Sequence, residues 1–117
     1  MRVVMSFCTK GEPSQGAAPP GYRRVVTGPA WGAVRTQWVF ELMELRVSTV
    51  RGMVPLAELR EGIATARRNL PLSAIAREAE ESGTSRDELA QCLDSLATWA
   101  TVASMQGATD VAWMEDF

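Results

Sequence analysis

Apolar residues recur at helical spacing through most of the second half of the chain. The first set is spaced by three and four residues, which places its side chains along one side of a helix: Leu56, Leu59, Ile63, Ala66 and Leu70. Pro55 suits the first turn of this helix, because its missing N–H would be unpaired there. Asn69-Leu70-Pro71 then interrupts the pattern. The spacing predicts a helix from about Pro55 to Asn69.

Two further helices follow at short intervals. The spacing of Leu72, Ile75, Ala76 and Ala79 predicts a shorter helix, and Gly83 suits a left-handed residue that closes it. Ser85 and Glu88 have the spacing of a capping box at the start of a third helix. The apolar face of that helix comprises Leu89, Cys92, Leu93, Leu96, Trp99 and Ala100.

The last part of the chain is rich in residues that favour strands. Residues 101–105 and 111–114 flank a turn at Gln106-Gly107. This arrangement predicts a C-terminal β-hairpin.

The N-terminal part alternates between short β-prone runs and segments rich in Gly and Pro. Val3 to Phe7 predicts an edge strand, and Tyr22 to Thr27 predicts a second strand that could pair with it. Gly11 to Gly21 contains three Gly and three Pro, which predicts a loop or linker. No Gly-Lys-Ser/Thr follows these glycines, so they do not form a phosphate-binding loop.

A further helix is predicted after Gly28-Pro29. Its apolar face comprises Trp31, Val34, Trp38, Leu42 and Leu45, and its end falls near Arg51-Gly52. Residues 38–43 are also rich in β formers, so a strand at 38–47 stays open as the alternative. The two tryptophans are interpreted as core residues, since Glu41 and Glu44 lie beside them where a stacking platform would carry basic residues.

Together these elements predict a mostly α fold with a small β component. A three-helix unit with a C-terminal β-hairpin is preceded by a helix and by a short strand and loop segment. Residues 1–30 are interpreted as an N-terminal strand and Gly/Pro-rich extension, and residues 31–117 as a single α+β domain.

The order helix, helix, short turn, helix, hairpin resembles the winged-helix branch of the helix-turn-helix superfamily. The residues that carry the resemblance are 72–79, 82–85, 86–89 and 93–96, and it extends over about residues 55–114. An ordinary three-helix bundle with a terminal hairpin would give a similar pattern. The resemblance implies that Ser85 to Ala100 occupies the position of the recognition helix, which reads base edges in DNA-binding members.

The charges on this segment differ from those of a DNA-binding winged helix. Arg86 is its only basic residue, and the expected wing contributes Asp110, Glu115 and Asp116. Phosphate contacts supply most non-specific DNA affinity, so an acidic surface favours a protein partner instead. The residues expected to contact that partner are Arg86, Asp87, Glu88, Asp94 and Asp110.

The basic residues are concentrated earlier in the chain. The overall net charge is −2, but the chain through Arg77 has 11 basic and 5 acidic residues. A nucleic-acid surface is therefore predicted as the second hypothesis, formed by Arg46, Arg51, Arg60, Arg67, Arg68 and Arg77. The alternative is that these arginines are solvated and pair with Glu58, Glu61, Glu78 and Glu80 at helical spacing.

Composition limits the chemistry. The 117 residues contain no His and two cysteines, Cys8 and Cys92, far apart in sequence. His-based catalytic arrangements are excluded, and the separated thiols do not suggest a zinc site or a disulfide framework. We therefore expect no catalytic residues, no cofactor and no metal.

The favoured hypothesis is a non-catalytic winged-helix-type module that makes protein–protein contacts in a replication or transcription assembly. One alternative is a DNA-binding regulator that uses the arginine face. Another is a small inhibitor or antitoxin-like protein with an acidic tail. No run of about 18 apolar residues occurs, which predicts no membrane span. Two isolated thiols without a disulfide framework favour a reducing, intracellular location, cytoplasmic or nuclear. The acid-poor residues 1–36 leave an organelle transit segment open.

Overall fold

The computed structural model describes residues 2–11, 20–28, 35–45 and 51–116. Its strands are β1 (Arg2–Lys10), β2 (Tyr22–Thr27), β3 (Arg51–Pro55) and β4 (Asp110–Asp116). Its α-helices are α1 (Thr36–Leu42), α2 (Leu56–Asn69), α3 (Ala74–Glu81) and α4 (Arg86–Met105), with a 3₁₀ turn at Leu70–Leu72.

The four strands form one antiparallel sheet in the order β2-β1-β4-β3. The predicted pairing of the two N-terminal strands is confirmed. The prediction that β1 is an edge strand was wrong, because β4, from the other end of the chain, pairs along its second side. The sheet is also larger than the small β component that was expected.

One face of the sheet, here called the inner face, packs against the helices. It carries Met5, Phe7, Val54, Val111 and Trp113, which form a single buried cluster with the apolar faces of all four helices. The ring of Phe40 on α1 meets that of Trp113 edge-on, with 5.0 Å between ring centroids. A β-bulge in β2 turns both Val25 and Val26 toward this core.

The short helix α1 answers the open question for the described part of residues 38–47, which is helical up to Leu42. The first part of the predicted helix, with Trp31 and Val34, lies outside the described residues. The helix ends in a Schellman motif, with the Leu45 N–H donating to the carbonyl of Phe40 (3.1 Å) and Glu44 left-handed at φ 57°. Residues 46–50 lie outside the described residues. The predicted end of this helix near Arg51-Gly52 was wrong, since Arg51 begins β3.

Helices α2, α3 and the start of α4 lie where the sequence predicts them, except that Leu72, expected on the apolar face of α3, lies in the 3₁₀ turn before it and is exposed. Pro55 is the N-cap of α2, one position earlier than the first helical turn. Gly83 is left-handed at φ 94° and closes α3, as predicted. The capping box is present as well: Ser85 Oγ accepts from the Glu88 N–H at 3.1 Å, and the Glu88 carboxylate accepts from the Ser85 N–H at 3.5 Å.

The predicted C-terminal hairpin was wrong. Residues 101–105 continue α4, because Ala100 and Ala103 extend its buried stripe by another turn. The strand that follows, β4, pairs with β1 and β3 rather than with residues 101–105. The acidic segment Asp110–Asp116 is therefore a central strand of the sheet.

Candidate interaction surfaces

Exposed carboxylates are concentrated where α3 turns into α4. Gly83 ends α3 and Ser85 begins α4 two residues later, so the end of one helix and the start of the next lie together. We call this the acidic corner and define it by five exposed residues: Glu78, Glu80, Glu81, Asp87 and Glu88. Arg86 Nη1 forms an ion pair with Glu80 Oε1 at 3.0 Å across the turn.

The structure brings together only some of the residues predicted to contact a protein. Arg86, Asp87 and Glu88 share the first turn of α4, and Asp94 lies about two turns further along. Asp110 follows the far end of α4, and a helix of 20 residues is about 30 Å long. Asp110 therefore belongs to a different surface from the acidic corner.

The residues predicted to contact nucleic acid are also divided among several elements. Arg60, Arg67 and Arg68 lie on α2, Arg77 lies on α3, and Arg51 lies on the edge strand β3. Arg46 lies outside the described residues. All five described arginines are exposed, but they do not share one face.

Arg67 and Asp94 were assigned to separate surfaces, and the structure joins them. Arg67 Nη2 lies 2.9 Å from Asp94 Oδ1. The two charges therefore neutralise each other between α2 and α4. Exposed pairs of this kind contribute at most about 1 kcal/mol to stability.

A shallow groove of about 430 Å³ lies beside this ion pair. Its remaining lining comes from α4: Ala97, Thr98, Thr101 and Val102. The hydroxyls of Thr98 and Thr101 each donate to a backbone carbonyl one turn earlier, at 3.0 Å. Because these hydroxyls already have acceptors, a ligand in the groove would contact methyl groups and the Arg67–Asp94 ion pair.

Neither cysteine is poised to act as a thiolate at neutral pH. Burial, with a smaller contribution from the nearby carboxylate of Asp110, raises the pKa of Cys8. Burial raises the pKa of Cys92 to about 11. Because the thiolate is the nucleophilic form, both groups are held in their unreactive state.

The face of the sheet opposite the helices, here called the outer face, was not predicted from the sequence. It carries three exposed basic residues, Lys10, Arg24 and Arg51, and the partly exposed side chains of Met53 and Met114. Residues 51–55 alternate in burial in the structure, but their residue types do not alternate between polar and apolar, and the register of β2 is shifted by the bulge. A register set by a bulge and by pairing between the chain ends is not encoded in local spacing.

Among the described residues, no group of three metal-ligating side chains lies close enough to hold an ion. Within the same residues, no helix is both long and apolar enough to cross a bilayer. Comparison with protein-family models, curated proteins and solved structures gives no match to this chain.

Proposed function

We propose that this protein is a non-catalytic interaction module that acts through protein–protein contacts at the acidic corner. The partner would carry a complementary basic surface, because opposite potentials speed association and disfavour wrong partners. A place in a replication or transcription assembly rests only on the sequence resemblance of the three helices to winged-helix domains, since the hairpin predicted at residues 101–114 is not formed.

The observation that carries this proposal is the clustering of five exposed carboxylates around one helix–helix turn. Arg86 pairs with Glu80, and no other basic side chain among the described residues lies within ion-pair distance of the remaining four acids, Glu78, Glu81, Asp87 and Glu88. The turn itself is fixed by the left-handed Gly83 and by the capping box. These caps fix the positions of the two helix ends that carry the carboxylates.

The test is a charge reversal that leaves the turn between α3 and α4 unchanged. Glu81→Lys with Asp87→Lys leaves both the Glu80–Arg86 pair and the capping box intact. The matched control is Glu58→Lys with Glu61→Lys on α2, since Glu58, like Asp87, is an acid in the first turn of a helix. Cross-linking and affinity capture from cells of the source organism should recover a partner with the wild type and the control.

The corner variant should lose that partner, because the reversed charges would repel a basic surface. Circular dichroism checks that both variants fold. Equal recovery by the corner variant and the control would refute a role for the acidic corner.

The second candidate is a DNA-binding regulator that uses the exposed arginines of α2 and α3. Its support is that Arg60, Arg68 and Arg77 have no carboxylate within ion-pair distance among the described residues. Duplex binding should then weaken steeply with salt, and Arg60→Glu with Arg68→Glu should abolish it. Absence of salt-dependent binding at low ionic strength would eliminate this candidate.

A further inference from the structure

The outer face of the sheet has an apolar centre. In antiparallel pairing, residues opposite each other project on the same side. Ser6, Ala112 and Met53 are therefore one row across β1, β4 and β3, and Val4, Met114 and Arg51 are the next. Arg51 Nη2 lies 3.5 Å from Met114 Sδ, in keeping with this arrangement.

This apolar centre is separate from the core that lies between the helices and the inner face of the sheet. The buried cluster that joins the helices to the sheet contains the inner-face residues and does not include Ala112 or Cys8. Met53 and Met114 are 37% and 38% exposed. Ser6 and Ala112, in the same row as Met53, are short side chains that are 3% and 5% exposed, so Met53 and Met114 supply the accessible apolar surface of the face.

Basic residues lie at two opposite corners of the apolar centre. Arg24 is opposite Cys8 on β1, and Lys10 lies two residues beyond Cys8 on the same side. Arg51 lies at the diagonal corner on β3. Asp110 is the one acid among the described side chains of this face, and its carboxylate accepts a hydrogen bond from the Thr109 hydroxyl at 2.7 Å.

This charge pattern decides between possible occupants. A second copy would offer these basic residues only Asp110 as an opposite charge among the described side chains of the face, which disfavours a symmetric dimer. Single-stranded nucleic acid is bound by aromatic side chains on which bases stack. Tyr22, opposite Lys10 on the edge strand, is the one aromatic among the described residues of this face, and its centre consists of methionines and small residues.

The spacing of the corners suits a helix. In a flat sheet, three strand separations and four residues along a strand place the Cα atoms of Arg24 and Arg51 roughly 20 Å apart. A helix of about 13 residues spans that distance. We propose that the outer face binds an acidic amphipathic helix of a protein partner, with apolar side chains over Met53 and Met114 and carboxylates at Arg24 and Arg51.

This proposal does not depend on the acidic corner, and its experiment uses a defined probe. The probe is a fluorescent synthetic peptide of about 16 residues with Leu at helical spacing and Glu elsewhere. A peptide of the same composition with scrambled order has the same charge and no apolar stripe. Fluorescence anisotropy with the full chain should show saturable binding of the periodic peptide and at least tenfold weaker binding of the scrambled one.

Two double variants show which surface of the protein binds the periodic peptide. Arg24→Glu with Arg51→Glu should weaken binding of the periodic peptide about tenfold or more, because two attractive contacts become repulsive. Arg60→Glu with Arg68→Glu on α2 makes the same change in net charge and should leave binding within about twofold, since these residues are not on the outer face.

Three results would overturn the proposal. They are the absence of saturable binding by the periodic peptide, equal losses in the two double variants, and tighter binding of a single-stranded oligonucleotide than of the periodic peptide. Met53→Ser provides a second check, since it removes apolar contact without changing charge. Unchanged affinity in that variant would also count against a helix seated on this face.

Discussion

Among the described glycines, Gly52 has the least room for a side chain. It lies opposite Trp113 in the register of β3 and β4, and the indole ring covers it. A Cβ at this position would lie 2.5 Å from Cζ2 and 2.9 Å from Cε2 of Trp113. The absence of a side chain at Gly52 therefore lets Trp113 lie against the sheet and meet Phe40.

Gly52→Ala should lower the free energy of unfolding by about 2 kcal/mol, because the added methyl group overpacks the core. Urea unfolding followed by tryptophan fluorescence measures the change. Gly11→Ala is the control, since its Cβ would lie an ordinary 3.7 Å from the nearest atom, Arg23 Cβ. Equal effects in the two variants would contradict the role of Trp113.

The raised pKa of Cys92 makes the stability of the fold depend on pH in the alkaline range. Its pKa rises from the ordinary 9.0 to about 11 in the folded chain, so the folded state keeps a proton that the unfolded state loses in that range. Stability that is fully present below pH 9 is therefore lost as the pH rises toward 11. The full effect of this increase corresponds to at most about 2.7 kcal/mol.

The free energy of unfolding should thus fall between pH 9 and 11 more steeply in the wild type than in Cys92→Val. Urea titrations at a series of pH values give the two slopes. A change in packing alters the free energy of unfolding by the same amount at every pH, so a difference between the two slopes reports the titration of the Cys92 thiol. Parallel slopes would show that Cys92 does not titrate differently in the two states.

At the scale of the elements, the helix ends agree best with the sequence prediction. Capping depends on residues close in sequence, such as Ser85 with Glu88 and Gly83 with the preceding turn. The course of α4 beyond Ala100 depends on tertiary packing instead. Thr101 and Val102 favour strands, but Ala100 and Ala103 are buried against the core and keep the segment helical.

Ser85→Ala should lower the free energy of unfolding by about 1 kcal/mol, because the N–H of Glu88 loses its acceptor. Ser82→Ala, three residues earlier and outside the capping box, should change it by less than about 0.5 kcal/mol. Urea unfolding of both variants provides the measurement. A larger loss in Ser82→Ala would show that the capping box contributes little to α4.

At the scale of the whole molecule, the two ends of the chain share the centre of the sheet. β1 pairs with β4 along Arg2–Cys8 and Asp110–Asp116, and Met5 and Phe7 are fully buried. The division into residues 1–30 and residues 31–117 is therefore open to a direct test. Removing β1 would leave β4 without one of its two partners and the core without two large side chains.

A fragment of residues 31–117 should lack a cooperative thermal transition by circular dichroism. Adding a peptide of residues 1–30 should restore the transition, because it supplies both β1 and β2. A fragment that melts cooperatively at the temperature of the full chain would instead show that residues 1–30 are an independent extension.

The sequence by itself determined the helices α2 and α3, the start of α4 and the two N-terminal strands. Their signals are local: apolar spacing, caps and short β-prone runs. The tertiary structure decided the rest, namely that residues 101–105 are helical, that β4 lies between β1 and β3, and that Arg67 meets Asp94. These outcomes depend on contacts between distant parts of the chain, for which the sequence carries no local periodicity. The charge difference between the two parts of the chain was visible in the sequence, but only the fold shows which acids form the acidic corner and which basic residues lie on the outer face.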